Sequence, residues 1–211
     1  SGPMFSDACL AESRWASSQL NQSDKKYVLV STAPLEDPGI GSILATLTDD
    51  PRVCGIRQII NFEPSWPRNE RLGNLLENHQ WRMGFAELGN YSLSYDLQLN
   101  PNQFKMAADL ISKHPDTPVI IGHLGSPTQT DLKEQAQQYW DGLRALAEHG
   151  RAFIKISMLA YIDENWDQNS LIKDTVLRVI DIFWRILLFL CDPVITDHCD
   201  QLWSIQVPQL I

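Results

Sequence analysis

The sequence predicts an α/β protein built on a mostly parallel sheet, and three observations carry that prediction. Strand-like and helix-like segments alternate along all 211 residues. Several strand candidates are continuous apolar runs, such as Pro118-Val119-Ile120-Ile121-Gly122, rather than alternating ones. No linker or composition shift divides the chain, so residues 4–211 read as one domain, with Ser1-Gly2-Pro3 a protease-cleavage remnant before Met4. Continuous apolar strands are those covered on both faces, and strand–helix alternation forces parallel crossovers.

The elements follow in order. Residues 7–19 have helix-forming composition, with Asp7 placed to cap and Leu10, Arg14 and Ser17 at helical spacing. Residues 27–31 (YVLVS) form a strand, Pro34, Pro38 and Gly39 break the chain, and 40–47 form a short helix. Residues 55–60 (GIRQII) are the next strand, followed by a loop with Pro64 and Pro67, a helix over about 69–88 and a strand at 92–99. Pro101 suits a first helical turn, and Phe104, Ala107, Ala108, Leu110 and Ile111 give that helix its apolar stripe. After the strand at 118–122 come a helix burying Trp140, Leu143 and Ala147 and a strand at 152–157. A long amphipathic helix with Leu171, Thr175, Val176, Val179, Ile180 and Phe183 leads to a last strand at 186–191. Six parallel strands therefore make either an open doubly wound sheet or part of a barrel.

Composition narrows the function classes. A net charge of -9 and a pI near 4.9 argue against binding nucleic acid through its phosphates. No apolar run reaches the ~18 residues of a membrane span, so no membrane partner is expected. Four dispersed cysteines without Cys-x-x-Cys, and no leader-like start, predict a reduced, cytoplasmic protein. No strand is followed by Gly-x-Gly-x-x-Gly, and there is no Walker A sequence or Gly-x-Ser-x-Gly elbow.

What remains informative is the placement of ionisable residues in or just after apolar strands. Arg57 lies inside GIRQII, Asp96 inside YDL, His123 ends VIIGH, Lys155 lies in IKIS with Ser157, and Asp192 follows LFLC. A charge in a buried strand is costly unless it is paired or used. Singly, each has a structural explanation: a core histidine, a snorkelling lysine, an Arg57–Asp96 ion pair between neighbouring strands, an aspartate opening a turn before Pro193. Recurrence in five strands favours a shared mouth at their C-terminal ends.

The chain also resembles a family. Cys54-Gly55-Ile56-Arg57-Gln58, Tyr95-Asp96-Leu97, Pro115-Asp116-Thr117-Pro118 and Gly122-His123-Leu124-Gly125-Ser126-Pro127 are similar to successive blocks of the lactonase-like branch of the amidohydrolase superfamily. So are Tyr139-Trp140 with Leu146-Ala147, and Lys155-Ile156-Ser157. The branch includes 2-pyrone-4,6-dicarboxylate lactonase and sugar-lactone hydrolases. The resemblance implies a (β/α)8 TIM-barrel-like metal-dependent hydrolase fold, incomplete here, and hydrolysis of a lactone or related cyclic carboxylic compound by an activated water. It implies His123 as the group that polarises the carbonyl or binds metal, and Arg57 as the fork that faces the substrate. Asp192 is implied as general base and second metal ligand, with Asp96 and Lys155 as supporting groups at the substrate end. It also implies one divalent metal such as zinc, or none, and a small-molecule substrate.

Three features depart from the family pattern. The family's first-strand His-x-His has no counterpart among the five histidines, His79, His114, His123, His149 and His198. The strand at 27–31 corresponds to the family's third, so six strands are expected where eight close a barrel of about 250 residues. Phe183-Trp184-Arg185 replaces the family's Phe-Gly, as divergence or a reading-frame change would produce. The competing expectation is a catalytically inactive, truncated or degenerate barrel that associates with another chain, such as a second copy, through open sheet edges.

Overall fold

The computed structural model describes residues 5–22, 25–66, 72–183 and the backbone of 187–188. Six parallel strands lie in sequential order: β1 (Leu29–Thr32), β2 (Val53–Ile59), β3 (Ser94–Gln98), β4 (Val119–Ile121), β5 (Ala152–Lys155) and β6 (Leu187–Leu188). The helices between them are α1 (Ser6–Leu20) before β1, α2 (Ile40–Thr48), α3 (His79–Glu87), α4 (Phe104–Ile111), α5 (Gln129–Lys133), α6 (Ala136–Ala147), α7 (Leu159–Ile162) and α8 (Ser170–Phe183). Among the described residues the sheet is open, with β1 and β6 at its edges.

Alternation along the strands assigns the two faces. Ile56 and Gln58 of β2, Tyr95 and Leu97 of β3, Val119 and Ile121 of β4 and Ile154 of β5 point to the helices. There Trp81 and Phe85 of α3 stack with centroids 5.7 Å apart, and Tyr95 meets both edge-on at 5.8 and 5.4 Å. Gln58 is buried among these rings because its polar atoms are used. Its Oε1 accepts from Trp81 Nε1 at 2.8 Å and from the Leu35 amide at 3.2 Å, and its Nε2 donates to Glu36 at 2.7 Å. An apolar environment strengthens such bonds and penalises the loss of any one.

Helix α1 covers the outer edge of the sheet. Ser31 and Thr32 point to opposite faces of β1, yet Ser31 Oγ lies 3.0 Å from Ser13 Oγ and Thr32 Oγ1 donates to Glu12 at 2.5 Å. Both faces can reach one helix only if it runs beside the strand. The buried side of α1 is therefore Cys9 and Ser13 rather than Leu10, Arg14 and Ser17, and Asp7 sits within the first turn while Phe5 occupies the cap.

The helix expected over 69–88 is shorter among the described residues. Gly73 is left-handed (φ 62°), and Asn74 and Asn78 are extended caps accepting from the amides of Leu76 and Trp81 at 3.3 and 3.1 Å. Asn side chains compete with helical hydrogen bonds, so these two separate a 3-10 turn (Leu75–Glu77) from α3. Helices α5 and α7, too short to show a hydrophobic period, were not expected from the sequence. In α8, Thr175, Val179 and Phe183 of the expected stripe are buried together with Ile172, while Leu171, Val176 and Ile180 are half-buried, and Arg178 lies over the Trp140 ring at 4.0 Å. Only Leu187–Leu188 of the last expected strand is described. No helix among the described residues is long and apolar enough to cross a membrane.

Candidate functional site

The concave face carries the remaining alternate positions: Arg57 and Ile59 on β2, Asp96 and Gln98 on β3, Ile120 on β4, Phe153 and Lys155 on β5. Parallel strands align their C-terminal ends, so groups at those ends meet whatever their separation in sequence. Just beyond these ends lies an open cleft of about 700 Å³, lined among others by Ile59, Gln98, Asn100, His123, Met158 and Tyr161. Arg57 and Asp96 stand two residues before Ile59 and Gln98 on the same strand faces, one layer deeper than the lining.

The structure brings together four of the five residues singled out in the sequence. Lys155 Nζ donates to Asp96 Oδ2 at 2.5 Å, and Arg57 donates to Gln98 Oε1. An Arg57–Asp96 ion pair, the structural alternative for adjacent strands, is not what forms. The two residues are register partners, but Asp96 turns away to Lys155 and Arg57 to Gln98. His123 lines the cleft with its Nδ1 2.8 Å from Ser157 Oγ. Asp192, together with His198, lies outside the described residues.

The chain presents His123 through an unusual turn. His123, Leu124, Gly125 and Ser126 all have positive φ (53°, 57°, 77° and 52°), closed by bonds from Gly125 N to Gly122 O and from Ser126 N to His123 O, each 2.8 Å. A left-handed residue other than glycine costs about 1–2 kcal/mol, so three within four residues need support. Tyr139 supplies part of it, donating to Leu124 O at 2.9 Å from the core. Phe104 supplies more, because its ring fills the space where a Cβ on Gly125 would stand, 2.2 Å from the ring Cζ. Strand β5 ends similarly, with Met158 left-handed (φ 56°) directly after Ser157. Non-glycine residues held in this region concentrate where a structure has a use for them.

The electrostatics keep the imidazole neutral. Burial lowers the His123 pKa first, the positive charges of Arg57 and Lys155 lower it further, and Asp96 opposes them. A neutral ring beside two cations suits an oxygen that becomes negative as a carbonyl is attacked. The sequence nominated His123, Arg57, Asp96 and Lys155, placed Ser157 beside Lys155 without a role and passed over Gln98; Ser157 and Gln98 bind His123 and Arg57 directly. Their only sequence signal was position, at or next to a strand's C-terminal end.

This geometry agrees with comparison to known proteins. An amidohydrolase family model matches residues 9–189. The chain belongs to the amidohydrolase family. A curated relative, the protein y4mH of Sinorhizobium fredii, is 28% identical over 163 residues, covering 76% of this chain and 54% of that protein. Among solved structures, an amidohydrolase from Burkholderia multivorans with bound HEPES superposes with TM-score 0.69 at 18% identity, over 92% of this chain and 66% of its own. A second crystal form of that enzyme, with bound zinc, gives TM-score 0.68 at 16% identity over 93% and 67%. A provisionally named 2-pyrone-4,6-dicarboxylic acid hydrolase from Pseudomonas putida gives 0.62 at 17% identity over 83% and 60%. The amidohydrolase chain described here spans about half of its curated relative and about two thirds of the first of these structures. The likeness identifies the fold as that of a TIM-barrel-like amidohydrolase.

The described residues do not by themselves fit a divalent metal. No three of His, Cys, Asp and Glu converge among them. The carboxylate nearest in role, Asp96, is engaged by Lys155, and the two charged groups that bear most on His123 are cations. A divalent ion at that ring would face like charge, whereas structural and catalytic zinc sites gather three or four donors.

Proposed function

We propose that this amidohydrolase hydrolyses a lactone or a related cyclic carboxylic compound at the cleft above β2–β5. The observation that carries the reading is the neutral His123 on the cleft wall, with Arg57 and Lys155 close enough to depress its pKa. In this reading the substrate carbonyl lies against the His123 ring, which donates to the oxygen as water adds to the carbon. Negative charge growing on that oxygen is met by the ring N–H and by the field of the two cations. Arg57, its guanidinium steadied by Gln98, holds a substrate carboxylate or hydroxyl through its free N–H groups. Asp96 holds Lys155 in place through their ion pair. Asp192 is the candidate for the base that takes the water's proton and returns it to the ring oxygen as the adduct collapses and the ring C–O bond breaks.

The test is turnover of a panel of sugar and aromatic lactones by the purified protein, followed as acid release, with and without added zinc. Turnover that falls at least about 100-fold in His123→Asn supports the reading. No turnover above the uncatalysed rate anywhere in the panel removes it.

The second reading, an inactive barrel that associates through its sheet edges, has one observation in its favour: β1 pairs only with β2 among the described residues. Sedimentation velocity distinguishes the two, since edge pairing requires a concentration-dependent dimer. The cover that α1 gives to β1 argues for a monomer on that side.

A further inference from the structure

We propose that Ser157 is a positioning residue for His123, donating its hydroxyl proton to Nδ1 and so fixing the ring as the Nε2–H tautomer. The inference rests on the reading that His123 polarises the substrate carbonyl, and adds the residue that makes the ring a donor on the cleft side.

Several observations converge on it. Ser157 Oγ lies 2.8 Å from Nδ1, within the range of a well-formed bond. Among the described residues Nδ1 is the only hydrogen-bond partner of that hydroxyl. A hydroxyl carries one proton, and a neutral imidazole offers one lone pair. If Oγ–H donates to Nδ1, the serine donor and the ring acceptor are both satisfied, and the ring proton stands on Nε2. The opposite arrangement spends the ring's donor on the serine, leaves the serine proton without an acceptor among the described residues and turns a lone pair to the cleft. His123 lines that cleft, so its edge away from Ser157 is the one available to substrate.

The contact is also set by backbone rather than by flexible side chains. His123 stands at the head of the left-handed turn after β4, and Ser157 immediately precedes left-handed Met158 after β5. Residues 123 and 157 each follow two adjacent parallel strands paired from Val119↔Ala152 to Ile121↔Ile154. Serine has a single χ1 angle between backbone and hydroxyl, so the strand ends determine where Oγ lies.

The test reads the tautomer directly. Long-range ¹H–¹⁵N correlation spectra of the ¹⁵N-histidine-labelled protein at pH 8, assigned with His123→Gln, should show a protonated Nε2 and a bare Nδ1 for His123. A protonated Nδ1 in the wild type overturns the inference, and needs no variant to do so. Ser157→Ala should give a mixed tautomer signal and a kcat roughly 10-fold lower, the equivalent of one hydrogen bond, with KM within about twofold. Ser157→Thr, which keeps the hydroxyl, should restore both. An unchanged tautomer and kcat in Ser157→Ala also overturns it. If the wild type shows the Nε2–H form yet turns over no lactone, the positioning role stands and the substrate reading falls.

Discussion

Lys155 and Asp96 meet at 2.5 Å across a strand that belongs to neither of them. Asp96 is on β3 and Lys155 on β5, with β4 between. Side chains from strands two apart reach each other in this way on the concave face of a curled sheet, so the pair reports the curvature of the barrel. Asp96 is only 8% exposed, and removing its partner leaves a largely buried carboxylate. Lys155→Met should therefore destabilise the protein by about 2–3 kcal/mol, reduced from the full burial penalty because the lysine head is partly solvated. Asp96→Asn/Lys155→Met should recover to within about 1 kcal/mol of wild type, since neither charge is then stranded. Urea unfolding of the two single variants and the double variant measures the coupling.

The left-handed turn after β4 makes opposite predictions at neighbouring positions. Gly125→Ala places a Cβ 2.2 Å from the Phe104 ring at φ 77°, where the backbone also disfavours it. A loss of at least about 3 kcal/mol is expected. Ser126→Gly, one residue on at φ 52°, removes a side chain from a conformation glycine adopts freely. Its effect should be neutral to a gain of about 1 kcal/mol, relief of strain outweighing the added freedom of the unfolded chain. Thermal unfolding of both variants tests the pair, and destabilisation by Ser126→Gly would contradict the strain assignment.

The sheet was legible in the sequence because its strands are short apolar runs between turn residues, and their parallel sense follows from the crossovers; the sequential order that distinguishes a barrel from a doubly wound sheet does not. The helix near residues 69–88 was not, because local caps at Asn74 and Asn78 overrode a helix-like composition. At the site, periodicity and strand ends were enough to nominate Arg57, Asp96, His123 and Lys155. Their partners were harder to read. Their place on neighbouring strands suggested Arg57 with Asp96, whereas the curl of the sheet gives Asp96 to Lys155, a relation no local pattern encodes. Ser157 stood beside Lys155 in the sequence without a role because a serine after a strand is common, and only the distance to Nδ1 distinguishes it. The turn that presents His123 left a single local trace, Gly125, since the other three left-handed residues are of types that rarely adopt that conformation.

Stability should fall as the solution becomes acidic below the ordinary histidine range. His123, His114 and His149 all have folded-state pKa values below 6.5, in each case chiefly through burial. The unfolded chain then binds protons that the folded one does not, so stability is full above pH 6.5 and is lost as the pH falls through the folded values. Urea midpoints at pH 8, 6.5 and 5 should decline in that order. His123→Gln should flatten the decline between pH 6.5 and 5, which separates the histidine's share from that of carboxylates protonating at lower pH. A decline as steep as wild type's would show that His123 is not depressed.

Arg57 offers a test that divides binding from chemistry. From a backbone position one layer beneath the cleft lining its guanidinium donates to Gln98 Oε1, so in the proposed reading part of the fork is spent on being held and the rest is left for substrate. Lysine at this position keeps the charge but has no planar fork, and cannot hold Gln98 and a substrate oxygen in fixed relative directions. Arg57→Lys should raise KM by about 10-fold and leave kcat within about threefold, because the interaction is made in ground and transition states alike. Gln98→Leu should show the same division in weaker form, since it loosens the guanidinium without removing it. If Arg57→Lys instead lowers kcat with KM unchanged, Arg57 acts on the developing charge at the carbonyl, and its assignment as the substrate's anchor is wrong.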